Sequence, residues 1–183
     1  TRLRTVTGVQ TCALPIWDNM LVSDRTFWKY LKKGDLDIRP LVAEHVQPAS
    51  VDLTLGSKLL ILGNHMEVEV KDGYTVLPGE FLLASTYEEI YVSPRFAGRV
   101  EGKSSLGRLG LLVHVTAGFI DPGFRGKITL ELANLSREPI KLRPHQKICQ
   151  ITFLHMDKQV ARPYGSKGLG SKYQGQDTVT GAR

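Results

Sequence analysis

From Ser50 to Leu154 the chain is a succession of short apolar alternations, each cut off by turn residues, with no long helical period between them. Ser50-Val51-Asp52-Leu53-Thr54-Leu55 is the clearest case, because a period of two places Val51, Leu53 and Leu55 on one face. Lys58 to Leu62 and Met66 to Val70 follow about the turn pair Gly63-Asn64, and Asp72-Gly73 reverses the chain again. Tyr74 to Leu77, Phe81 to Thr86 after Pro78-Gly79, Glu89 to Val92 and Ala97 to Glu101 continue the series. Ile128 to Ala133, Pro139 to Leu142 and Ile148 to Leu154 complete it, with a Pro144-His145 turn before the last. So many short antiparallel strands must close on themselves or pack as a sandwich to protect their edges. The expected class is mainly β.

One helix precedes the strands. Over Leu21 to Gly34, Ser23 is the candidate N-cap, Asp24 suits the positive end, Phe27, Tyr30 and Leu31 share a face, and Gly34 is the terminator. Ile38 to Pro48 reads as irregular, and no internal repeat is found. Gly165 to Gly175, rich in Gly and Ser, reads as a flexible tail. The expected domains are therefore 1-19, 20-160 and 161-183: an extension, a β body and the tail. Within the extension, GVQTCALPI looks like a translated sequencing-adapter remnant, so these residues are set aside as non-native, with a genuine short extension as the alternative.

A chain of 183 residues fits one core. Its net charge of +6 is misleading until located: from Lys158 onward five Lys or Arg face only Asp177, so the body is nearly balanced. A basic tail can coat nucleic acid or close over a polyphosphate. With no helix-turn-helix or zinc-finger pattern beside it, the second reading is preferred and no nucleic-acid partner is expected. Cys12 and Cys149 lie far apart without a metal-type pairing, which fits a reducing, cytoplasmic setting. No apolar run reaches the length of a membrane span, and residues 1 to 19 lack a signal peptide's apolar core.

Glu101 to Ser136 concentrates groups that packing does not require. Lys103, Ser104, Ser105 and Arg108 crowd about Gly102 and Gly107, a bend in which backbone N–H groups join hydroxyl and guanidinium donors to suit an anion, phosphate above all. In KITLELANL, Ile128, Leu130 and Leu132 share one face while Thr129, Glu131 and Ala133 share the other, so Glu131 looks into a cleft or into solvent. Each residue also has a plain reading: an exposed strand glutamate, a turn serine, a surface arginine, and in Asp121 the first residue of a β-turn.

KSSLGRLGL, HVTAGFIDPGF and ITLEL, in that order, resemble the dCTP deaminases of the trimeric dUTPase superfamily. The likeness runs from Met20 to about Gln176 and includes the tail segment RPYGSKGLGSKYQGQ. It implies a dUTPase-like β-barrel and hydrolytic deamination of dCTP. That chemistry needs a water deprotonated near C4, a proton delivered to N3 and ammonia expelled. Most nucleobase deaminases use zinc with paired HxE and PCxxC signatures, and this sequence has no PCxxC, so the pair is absent.

The resemblance therefore implies a zinc-free site with Glu131 as general base and acid. Ser104 and Arg108 would hold the water and shape the cytosine site, with the Ala117 carbonyl a further contact to that water. Lys103 and Ser105, with Leu106 and Gly107 beside them, would cradle the triphosphate. Asp121 would take the deoxyribose 3′-hydroxyl, Thr129 and Leu130 would line the base pocket with Glu131, and Gln150 would lie near base or sugar. Tyr164, Lys172 and Gln176 would close over the nucleotide. Gly118-Phe119 after Thr116-Ala117 resembles the bifunctional members, which also cleave the triphosphate to give dUMP and pyrophosphate, glycine leaving room for a second water. The alternatives are a deaminase releasing dUTP, a dUTPase, or a silent nucleotide-binding regulator. Magnesium is expected to arrive on the triphosphate, and the resemblance implies a homotrimer with sites between subunits.

Overall fold

A computed structural model of the chain describes residues 21–62 and 66–183; the expected extension and the Gly63-Asn64 turn lie outside the described residues. The helix α1 spans Asp24–Lys33. Ser23 Oγ accepts the Thr26 N–H, Gly34 adopts the left-handed conformation at φ 72°, and Phe27 is buried against Phe153. Cap, terminator and apolar face are those read from the sequence.

Among the described residues twelve strands follow. They are β1 (Leu36–Arg39), β2 (Val46–Gln47), β3 (Ser50–Ile61), β4 (Met66–Glu69), β5 (Tyr74–Val76), β6 (Phe81–Val92), β7 (Phe96–Gly102), β8 (Leu111–Leu112), β9 (Phe119–Ile120), β10 (Arg125–Asn134), β11 (Ile140–Leu142) and β12 (Lys147–His155). A short helix, α2 (Ser104–Gly107), separates β7 from β8. Ten strands form one antiparallel sheet along the path β8-β10-β6-β3-β12-β7-β9, while β5 and β11 pair apart. The sheet curls into a half-barrel.

The inward set of each strand fills the core: Leu53 from β3, Leu82 and Ile90 from β6, Leu130 and Leu132 from β10, Ile148 and Ile151 from β12, all fully buried. Each such side chain stabilises by about 1.5–3 kcal/mol over its exposed state.

Two boundaries differ from the sequence reading. The stretch read as irregular, Ile38 to Pro48, takes in the end of β1, whose residues Leu36 to Arg39 pair with Val92 to Glu89 of β6, and the whole of β2. A four-residue segment has too little alternation to announce itself, and its partner lies far along the chain. The two pairs of strands expected over 50–62 and 81–92 are each one continuous strand, β3 and β6, interrupted by bulges where alternation lapses.

Past β12 no helix or strand forms, and residues 156–183 run back along β10. Tyr164 N–H donates to Pro122 O, Gly175 N–H to Arg125 O and Lys127 N–H to Gln176 O, each at 2.8 Å. Two glycines admit this return. A Cβ on Gly123 would lie 2.6 Å from that of Pro163, and one on Gly126 would lie 2.8 Å from Gln176 O. Both glycines also hold positive φ, 95° and 146°.

Candidate active site

A cavity of about 440 Å³ opens between β10, the loop 117–124 and the returning tail. Thr129 and Glu131 reach it from β10, Phe81 and Leu83 from β6, and Tyr164, Tyr173 and Gln176 from the tail. The alternation along β10 explains this directly: Ile128, Leu130 and Leu132 are buried, and the intervening residues are only partly so. Leu130, expected at the base pocket, thus sends its side chain into the core, leaving only its backbone near the cavity.

Glu131 is held in place. Its Oε2 accepts the backbone N–H groups of Val115 at 2.8 Å and Thr116 at 2.9 Å. Buried Val113 anchors one end of that loop, and the Gly118 carbonyl, which accepts the Val100 N–H at 2.7 Å, anchors the other. Ala117 lines the same cavity, and Phe119, 61% exposed, stands at its rim. Gly118 departs from the reason given for it. A Cβ there would lie 3.0 Å from His114 Cε1 and 3.1 Å from Val100 O, so the glycine admits a packed imidazole and not a vacant space.

Asp121 lines this cavity and also a neighbouring one of about 460 Å³, shared with Arg162, Tyr164, Ser171, Lys172 and Tyr173. The first chamber holds the carboxylate and much apolar wall; the second holds cations. Lys172 donates to the Arg183 carbonyl, and the Tyr164 hydroxyl accepts the Tyr173 N–H at 3.1 Å. Thr129 Oγ1 accepts the Thr180 N–H at 3.3 Å, and Gln176 Nε2 donates to Lys127 O. Arg162 and Tyr173 were invisible to motif reasoning as cavity residues; only the path of the tail brings them here.

The bend read as an anion cradle is elsewhere. Ser104, Ser105, Gly107 and Arg108 are exposed, Leu106 packs on the core, and none of them lines the Glu131 cavity. Lys103 Nζ lies 2.6 Å from Asp52 Oδ1, and Lys147 Nζ lies 3.0 Å from Oδ2. Burial pushes the Asp52 carboxyl up, but hydrogen bonds and charge from Lys103 and Lys147 hold it below its usual range. Gln150 belongs with the bend: it stands opposite Asp52 and Glu101 in the ladders and accepts the Ser50 hydroxyl at 3.3 Å. One chain thus holds the carboxylate cavity and the serine–arginine bend apart.

A curled antiparallel half-barrel, with a strand carboxylate in one chamber and cations in the next, defines a class suited to a polar heterocycle bearing an anionic chain. The family model for dCTP deaminase-like proteins matches residues 21–156, and the chain belongs to that family. It is 48% identical over 174 residues to a Corynebacterium glutamicum protein named dCTP deaminase, dUMP-forming, with 86% of this chain and 92% of that protein covered. A Bifidobacterium longum protein of the same name is 45% identical over 181 residues, with 90% and 94% covered. The crystal structure of 2'-deoxycytidine 5'-triphosphate deaminase from Agrobacterium tumefaciens has a TM-score of 0.65 at 23% identity and shares the fold. That match covers 76% of this chain and 49% of that one, so the chain spans about half the length of the solved relative.

Proposed function

We propose that this chain hydrolyses dCTP to dUMP, pyrophosphate and ammonia, with Glu131 as the proton shuttle. The observation that carries the proposal is the Glu131 carboxylate, fixed at a cavity wall through Oε2 by two amides while Oε1 has no hydrogen bond among the described residues. Oε1 takes a proton from the water that attacks C4, passes it to N3, and a further transfer lets ammonia leave. Thr129 borders the base, Asp121 stands between the chambers where a sugar hydroxyl would lie, and Arg162 and Lys172 face the phosphates. A second water attacks the α-phosphorus and displaces pyrophosphate.

Ser104 and Arg108 enter the same site from a neighbouring copy in a homotrimer. Support comes from their exposure and from the apolar residues around the bend, Leu109 at 57% and Leu135 at 69% exposed, which a partner would cover. Magnesium travels with the triphosphate as part of the substrate, and water activation is assigned to Glu131 without zinc. No described helix is long and apolar enough to cross a membrane; a cytoplasmic location is proposed because free nucleoside triphosphates are met there.

The test is a time course with dCTP and magnesium that resolves ammonia, dUTP, dUMP and pyrophosphate, repeated with a zinc-selective chelator. Ammonia and dUMP rising together, unchanged by the chelator, is the expected result. Free dUTP accumulating ahead of dUMP would refute the coupled cleavage, and loss of turnover with the chelator would refute the zinc-free assignment.

A further inference from the structure

The alternation on β10 fixes which face Glu131 occupies, but not where along β6 it stands. Lys127 pairs with Glu89, yet Thr129 pairs with Ser85, so Thr86, Tyr87 and Glu88 together oppose Ile128 alone. An unbroken ladder would set Thr129 beside Tyr87 and Glu131 beside Ser85. The bulge sets Glu131 beside Leu83 instead, a displacement of two residues, about 7 Å. A slip of two keeps every side chain on its own face, so hydrophobic burial does not discriminate between the two registers. Something else must choose.

A buried polar chain does so. Ile128 N–H donates to Thr86 Oγ1 at 2.9 Å, and that hydroxyl donates to Glu88 O at 2.8 Å, closing the bulge on itself. The Glu88 carboxylate then accepts Thr54 N–H at 2.9 Å and Thr54 Oγ1 at 2.7 Å, tying the bulge to β3. Thr54, Thr86 and Glu88 are 6%, 0% and 3% exposed. Within the bulge, the Ile128 N–H takes the Thr86 hydroxyl as its acceptor, and in so buried a place an unmet donor is strongly unfavourable.

We infer that Thr86 and Glu88 are positioning residues, which lock the β10 register and so place the Glu131 carboxylate under the Val115 and Thr116 amides. Neither touches the cavity that Glu131 lines. They act through the strand.

The test is Thr86→Val, isosteric but without the acceptor, compared with Thr86→Ser, which keeps it. The first readout is hydrogen exchange at the Val115 and Thr116 amides, which does not depend on any activity. Thr86→Val should speed that exchange by at least about tenfold while Thr86→Ser leaves it near wild type. The second readout rests on the proposed function: kcat for dCTP should fall by about 100-fold with little change in KM. If wild type itself has no turnover, that reading fails while the exchange result still decides this one. Folded Thr86→Val with wild-type protection at both amides would overturn the inference. Should Thr86→Val not fold, Glu88→Gln is read by the same exchange measurement, and unchanged protection there would overturn it equally.

Discussion

Glu131 stands inside a ten-residue strand paired along most of its length with β6, whereas Arg108 follows a four-residue helix whose serines face solvent. The first region has, from one chain, a cavity, a wall of neighbours, and two amides gripping the carboxylate. The second has exposed donors that line neither of the two cavities, and it is tied down by Lys103 on buried Asp52 and by Leu106 on the core. The contrast teaches that a strand can fix the aim of a carboxylate through its own pairing, while a short surface bend leaves its donors without such a wall around them.

Replacing Glu131 by Gln breaks the comparison most severely. Ammonia release should fall by about 10² to 10⁴ with the thermal midpoint hardly moved; near-wild-type release would mean the cavity is not where the chemistry occurs. Next, Arg108→Ala should lower kcat by about 10². Mixing it with Glu131→Gln after dissociation and reassembly should then restore about a quarter of wild-type activity, because one pairing in four unites an intact cavity with an intact bend. Failure of any mixture to recover would show that both groups serve a site within one chain.

Asp52→Asn probes the anchor of the bend. It should destabilise the fold by about 2 kcal/mol at neutral pH, below the ~3–5 of a wholly buried pair because both lysines reach solvent. The folded carboxyl lies below its ordinary 3.8, so its contribution is fully present above that value and is lost as pH falls through the lowered one. Denaturant unfolding of both proteins should therefore differ at pH 7 and converge in strong acid. The smallest effect expected is from Gly126→Ala, whose Cβ would meet the Gln176 backbone at 2.8 Å. By loosening the tail it should raise KM by about tenfold, equivalent to about 1.4 kcal/mol, and leave kcat much less affected; an unchanged KM would remove the tail from nucleotide binding.

Much of this was legible in the residues. Ser23 and Gly34 bound the helix because a cap and a left-handed terminator are local devices. Glu131 could be given its face because a period of two is local as well. β1 was missed because its partner, Glu89 to Val92, lies about fifty residues away and four residues carry little pattern. The path of the tail was not legible, since the hydrogen bonds that lay it along β10 come largely from backbone groups that any sequence possesses.

By itself the sequence determined most of the elements, their inward faces and the inventory of reactive side chains, all of which follow from steric and hydrophobic rules acting over a few neighbouring residues. Only the tertiary structure decided how far β10 slides along β6, that the glycine at 118 admits His114, and that the carboxylate and the guanidinium belong to different surfaces of one chain. Those outcomes depend on pairing between distant backbones, where alternative registers bury the same side chains and a few buried hydrogen bonds make the choice.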